Sequence, residues 1–474
     1  MSAALEEVAR RALIDQQETE ALAQLLPAAV AGESPRLWQW PALLYRALEQ
    51  HPAALMAFAR AAAAAPDDPG IAHGHARVAL EAGIASVVLF ERARRLAPTD
   101  GGVLLGLGSA RLAAGEGEAA LADLAATLDT NPGWIDGHRQ FAQLAALLGR
   151  PDRARDSFDR AIARGEQALV PARLDYLIQA RRFAELGALA TDDRSAAHYR
   201  TIAAAETFDR AAADRMFAAL GPVPELRIWR VRHLIRTGRI AEALPLIEQW
   251  LASDDAVSAW PYAAIAWRLT DDPRLAWLDR ADFVSVVDLG DLPAGLGDSL
   301  RALHGQSGQF DDQSVSGGSQ TDGPLFARVD PAIVALRAMV SDAVTAYVAA
   351  LPAHDPLHPL LRHRRDRRLR FAGSWSVRLN AAGHHRAHVH PLGWISSALY
   401  VCVPSAVERG ADAYAGWLTL GKPEAGLATG IKPTQMVEPR PSQLVLFPST
   451  MWHDTRPFAA GERMSVAFDV APPR

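Results

Sequence analysis

Apolar residues along this chain follow two rhythms. Up to about residue 275 they recur with helical spacing in a background rich in Ala, Leu and Arg. Beyond it the rhythm changes to period two. In Phe371–Asn380, Trp375, Val377 and Leu379 alternate with Ser376, Arg378 and Asn380; Ile395–Val403 is almost wholly apolar; and Met464, Val466 and Phe468 alternate with Arg463, Ser465 and Ala467. Side chains two apart on a strand share a face, so one face of the last segment suits a core and the other a cavity. One helix is expected among the strands, Pro331–Leu351, with a stripe at Ile333, Leu336, Met339, Val340, Ala343 and Tyr347.

Within the helical part, turn residues repeat. Pro66, Pro98 and Pro132 are 32 and 34 residues apart, and so are Gly83, Gly115 and Gly149 between them. Each unit reads helix, Gly turn, helix, Pro-led turn, and Thr237-Gly238-Arg239 begins a later degenerate copy. The period resembles that of tetratricopeptide repeats. Such units cannot bury their faces singly and must stack. Their groove either receives a protein or peptide, or packs on a neighbouring domain or in a homodimer. Gly305–Gly323 is polar and Gly/Ser-rich, which reads as an ordered loop over a site, with an interdomain linker as the alternative. Arg362–Arg370 is a basic run, either solvated or attractive to an acidic substrate; no aromatic interleaving accompanies it, so nucleic acid is not expected.

Composition narrows the setting. The chain has 474 residues, 49% hydrophobic and 22% charged, with net charge −5 and one cysteine, Cys402. That charge gives no general attraction to nucleic acid or anionic membrane. A lone cysteine excludes an internal disulfide framework. The start does not read as a signal peptide, and no apolar stretch reads as membrane-spanning. The expected location is cytoplasmic.

The candidate chemistry lies between Ser374 and Val470. His388 and His390 stand two apart and converge if the segment is extended; His453 follows a strand-like run; Arg463 lies ten residues later, with Ser465 on its strand face. Imidazoles on one half of an octahedron leave positions for a bidentate oxoacid and O₂. A guanidinium offers a planar fork for a carboxylate, and a serine hydroxyl adds a donor.

The order of these elements, with the phrases HVHPLGWISSALYV and LVLFPSTMWHDTRP, resembles the Fe(II)/2-oxoglutarate-dependent oxygenases, most closely bacterial ones that carry tetratricopeptide repeats. The resemblance covers roughly the last 170 residues. It implies a multidomain chain: a tetratricopeptide-like helical solenoid over 1–275, then a double-stranded β-helix (jelly-roll) domain with bracing helices over 276–474, each with its own core. It implies Fe(II) on His388, His390 and His453, and 2-oxoglutarate on Arg463 and Ser465, with Tyr400 and Asn380 as further cosubstrate residues. The implied activity is that of a dioxygenase that uses O₂ to hydroxylate a protein, peptide or amino-acid-like substrate. One departure stands out: the family's usual carboxylate ligand is replaced here by His390. That leaves a catalytically inactive scaffold, a cupin-like metalloenzyme and a structural zinc site as alternatives; none of them accounts for Arg463 and Ser465.

Overall fold

The computed structural model describes residues 2–32, 36–189, 196–305 and 315–473. The chain forms two compact units. One holds the residues before Gln167, with Asp322–Arg337 and a short stretch from Arg301. The other holds the helices after Glu166 and all the strands. These units divide at a different point from the 275/276 boundary expected from the sequence.

The first unit is built of helix pairs, among them Pro69–Glu81 with Val87–Leu96, Gly101–Ala113 with Gly117–Thr130, and Ile135–Leu147 with Pro151–Ala163. The repeating glycines fall where the sequence placed turns. Gly83, Gly115 and Gly149 have φ of 73, 78 and 69°, the left-handed conformation that closes a helix at lowest cost without a Cβ. Asp68 and Asp100 start the helices that follow the Pro turns, accepting from the backbone N–H of Ile71 and Val103.

Among the described residues, nine antiparallel strands in the second unit form two sheets. They are β1 (Ser285–Asp288), β2 (Val315–Gln320), β3 (Phe371–His385), β4 (Ile395–Cys402), β5 (Leu418–Leu420), β6 (Gln435–Val437), β7 (Gln443–Pro448), β8 (His453–Thr455) and β9 (Arg463–Val470). The six-stranded sheet runs β1-β7-β4-β9-β3-β2 and the three-stranded sheet β6-β5-β8. A core of Tyr400, Leu418, Leu420, Val437, Val445, Phe447 and Met451 joins side chains of both sheets, as in a jelly roll. Met464, Val466 and Phe468 of β9 are fully buried.

Of the Gly305–Gly323 loop, residues 306–314 lie outside the described residues. The described remainder differs from the expectation: Val315–Gln320 is β2, an edge strand paired with β3. The helix Pro331–Ala350 is, by length and composition, apolar enough to cross a bilayer, which the sequence reading did not expect. It buries a stripe at Ile333, Leu336, Val340, Val344 and Tyr347, and the Tyr347 hydroxyl donates to the Phe283 carbonyl at 2.7 Å, the pattern of a core helix.

The barrel does not keep a core to itself. Trp452 and Leu427 are buried among Val231, Ile247, Trp250, Trp260, Tyr262 and Trp267 of the helices Arg227–Arg236, Ile240–Leu251 and Ala256–Leu269. The Trp452 indole donates to the Pro261 carbonyl at 3.0 Å. An ionic network crosses the same seam. Glu206 accepts a bidentate pair from Arg232 at 3.0 Å and further bonds from Arg236 at 2.9 Å, while Arg232 also pairs with Glu424 of the barrel. Arg236 donates to the Gly426 carbonyl at 2.6 Å. Arg232 and Glu206 are only 6 and 8% exposed, so each depends on the other for its lost hydration.

Beside the expectation that each domain has its own core, these contacts give the barrel and the neighbouring helices a shared one. A chain truncated to start at Trp277 will expose Trp452 and Leu427, leave Glu424 without Arg232, and be insoluble; a soluble, cooperatively melting product would show that the shared core is dispensable. In the full chain, Arg232→Ala will lower stability by about 3–5 kcal/mol, the usual cost of stranding one partner of a buried pair, read by urea unfolding.

Candidate metal centre

The segment between β3 and β4 carries the first two histidines. It is extended but is not the regular strand expected. Its only ladder contact is one bridge, His388 with His453, through N–H···O bonds of 3.1 and 3.0 Å; the His390 N–H donates to the Ser449 carbonyl at 2.9 Å. Ala387 and Val389 pack on the helical core while also bordering the cavity, and His388 and His390 converge with His453. The bridge brings His453, the first residue of β8, beside them.

The three imidazole centroids lie 4.2, 4.9 and 5.1 Å apart, and one nitrogen from each ring falls within 4.8 Å of the others. That is a group able to hold one metal ion. In each ring Nδ1 is already engaged: His388 with the Arg386 carbonyl at 2.7 Å, His453 with the Met451 carbonyl at 3.1 Å, and His390 with Asp469 Oδ2 at 2.7 Å. All three acceptors lack protons to give, so the N–H sits on Nδ1 and Nε2 is the nitrogen each ring would offer a metal. Burial pushes His388 down to about 3, with His390 adding to the effect, and pushes His453 well below its ordinary value. Both are neutral, as ligation requires.

Asp469 was missed in the sequence, although the rule that grouped Arg463, Ser465 and Ala467 extends to it. All four line a cavity of about 500 Å³ with the histidines. Asp469 Oδ1 accepts from the Ser396 hydroxyl at 2.6 Å, which in turn lies 2.9 Å from Ser449 Oγ. The chain therefore places a carboxylate behind His390 rather than on the metal. His385, at the end of β3, was also missed; it lines the cavity with its ring stacked 5.8 Å from that of His388.

Arg463 is 2% exposed on β9, opposite Leu379 of β3, and Ser465 lies opposite Tyr400 of β4. The Arg463 guanidinium sits 4.9 Å from the centre of the Tyr400 ring. Burial holds Arg463 below its ordinary pKa and Tyr400 above. Arg463 and Tyr400 favour each other's charged forms, but among the described residues neither Arg463 Nε nor the Tyr400 hydroxyl has a partner in good hydrogen-bond geometry, although both atoms are buried. Orphaned buried donors beside a cavity fit an anionic ligand such as a carboxylate. Asn380 does not join them: it is exposed on β3 and does not line the cavity, because the strand's alternation turns it outward. The basic run does not line the cavity either. Arg364 pairs with Asp366 at 2.6 Å, and Arg365 donates to the Leu351 carbonyl at 2.7 Å and to that of Pro352.

Fold and site together define a jelly-roll domain with a three-histidine cluster able to hold a metal ion and, in the same cavity, a buried arginine. Residues 373–469 match the family model described as putative 2OG-Fe(II) oxygenase. Similar solved structures include a Pseudomonas putida prolyl-4-hydroxylase, 18% identical, covering 44% of this chain and 100% of that one, with TM-score 0.29. Another is HygX from Streptomyces hygroscopicus, solved with nickel, 2-oxoglutarate and hygromycin B: 14% identical, covering 40% of this chain and 83% of that one, TM-score 0.27. The TPR domain of P58(IPK) is 13% identical, covering 57% of this chain and 89% of that one, TM-score 0.20. No curated protein matches the chain.

Asp469→Asn keeps the shape of the side chain but removes the charge that orients His390. It will weaken binding of Co(II), used as an air-stable probe, by about 10–100-fold by calorimetry; unchanged affinity would show that Asp469 has no part in the site. The apo protein's stability will fall as pH drops from about 6.5, where His388 is protonated in the unfolded chain, toward about 3, where it is protonated in the fold. Urea midpoints that stay flat across that window would contradict the neutral, desolvated histidine.

Proposed function

We propose that this protein is an Fe(II)- and 2-oxoglutarate-dependent dioxygenase of the hydroxylase type, acting in the cytoplasm on a protein, peptide or amino-acid-like substrate. The observation that carries the reading is the pairing of two different sites in one cavity: three imidazoles close enough to share one metal ion, and a buried Arg463 with an unmet donor. A structural zinc site or a cupin-like metalloenzyme has use for the first but not the second, and an inactive scaffold has use for neither. The match over 373–469 supports the same reading.

His388, His390 and His453 would hold the iron. Fe(II) with 2-oxoglutarate and O₂ supplies the oxidation: the oxoacid is converted to succinate and CO₂, and one oxygen atom enters the substrate as hydroxyl. The chain's own groups bind and orient. Arg463 meets the distal carboxylate with its planar fork, the Ser465 hydroxyl donates beside it, and the Tyr400 hydroxyl gains the partner it lacks. The Met451 and Arg386 carbonyls and Asp469 hold the rings at fixed angles. Trp375, Val377 and Phe447 line the cavity and keep water from the metal's open face.

Hydrogen bonds to charged groups contribute roughly 1.5–3 kcal/mol, so Arg463→Ala will weaken 2-oxoglutarate binding by about one to two orders of magnitude. Arg463→Lys will recover only part of this, because ammonium lacks the fork. Fe(II) affinity in the absence of the oxoacid will be nearly unchanged. The measurement is anaerobic titration of 2-oxoglutarate into the Fe(II) protein, following the visible charge-transfer band. Equal affinity in wild type and Arg463→Ala, or no binding to either, would remove the assignment.

A further inference from the structure

The cavity is not made by the barrel alone. Arg181 lines it from the helical side, just beyond the helix Leu169–Gln179. Its backbone has φ of 55°, the left-handed region where a helix usually ends in glycine. The same conformation recurs at seven other non-glycine residues among those described, so it places the side chain without marking it as functional. Arg181 Nη2 donates to Glu424 Oε2 at 3.0 Å, while Arg232 takes Glu424 Oε1. Glu424 is thus a buried strut that aims Arg181 across the seam between helices and barrel.

The charges facing the cavity are matched unevenly. Each of its three carboxylates already has protein donors. Glu424 has Arg181 and Arg232; Asp469 has His390 and Ser396; Asp454 has Thr419 and, at 3.2 Å, Lys422. Arg463 and Arg181 are matched less fully. Arg463 is buried with its Nε unpaired among the described residues. Arg181 shares its one carboxylate with Arg232, and Arg386, also on the cavity wall, is pushed below its ordinary pKa by burial and then by Arg181. What the cavity offers a ligand is donors, at two depths: Arg463 is buried at the base, and the Arg181 side chain is 43% exposed at the opening.

From this arrangement we infer that the cavity has a second anion site, formed by Arg181, and that the substrate is an acid whose carboxylate it binds. The inference rests on the oxygenase reading, in which Arg463 takes the cosubstrate. Arg181 is then a specificity-determining residue, supplied by the helical part of the chain. That gives the helices a role in substrate choice.

The test uses the full chain with Fe(II) and 2-oxoglutarate under anaerobic conditions. The probes are acetyl-Glu-amide and acetyl-Asp-amide, their Gln and Asn counterparts, and the same four residues within blocked octapeptides of otherwise Gly and Ser. Binding is read by perturbation of the visible band and by calorimetry. At least one acid will bind about tenfold or more tighter than its amide. Arg181→Ala will abolish that preference and Arg181→Lys will keep part of it, while 2-oxoglutarate affinity is retained as proof that the fold and inner site are intact. Preference in the short probes points to a small acid, and preference confined to the octapeptides to an acidic peptide. If the protein binds 2-oxoglutarate but no acid probe, or acid and amide equally, or if Arg181→Ala keeps the preference, the second anion site is overturned and the oxygenase reading stands. If 2-oxoglutarate itself fails to bind, the oxygenase reading falls and this inference with it.

Discussion

The structure turns on four residues with two obligations, Ala387 to His390. Alternation in extended backbone sends successive side chains to opposite faces. One face, Ala387 and Val389, packs on the helical core; the other, His388 and His390, converges with His453. Neither face can move without the other. A slip of one residue would carry the imidazoles away from His453 and toward the apolar helical core. The helices therefore do more than flank the barrel, because they fix the register of the strand that carries two of the three nitrogens. The single backbone bridge between His388 and His453 would be a weak restraint by itself. Apolar burial on the opposite face supplies the rest.

What could be read from the sequence was what depends on short spacing. The helix pairs were legible because Gly and Pro punctuate them locally. The histidine pair and the Arg463, Ser465, Ala467 face were legible because period two is a local rule. Asp469 obeys that rule and was within reach; the face simply had to be followed one step further. Asn380 shows the limit in the other direction. Its place near the motif suggested a ligand role, but alternation along β3 turns it outward. The shared core was not legible. Trp452 and Pro261 are 191 residues apart, and Arg181 and Glu424 are 243 apart; no spacing rule connects them. The same long-range contacts explain why the compact units divide near residue 166 rather than at the change from helix to strand.

The position of the missing carboxylate bears on the metal's electronic state. Three imidazoles alone would leave a divalent ion with both its positive charges uncompensated, in a cavity already carrying Arg463. Asp469 restores one negative charge at a distance of one imidazole. Hydrogen bonded to Nδ1, it draws the proton of His390 toward itself and makes Nε2 a stronger donor. Ser396 holds the far oxygen of Asp469, and its neighbour Ser449 lies within hydrogen-bond reach, so the carboxylate has a fixed direction. A carboxylate bound directly to the metal would hold the same charge closer but occupy no different number of sites. Three imidazoles would take as many positions on an iron as two imidazoles and a carboxylate, which would leave room for an oxoacid and O₂ in either case. What changes is the charge density at the ion. A ligand set of three neutral donors favours an incoming anion more strongly, and the cosubstrate brings two carboxylates. The exchange of Asp or Glu for His at position 390 is thus compatible with the chemistry proposed, provided that Asp469 is present behind it.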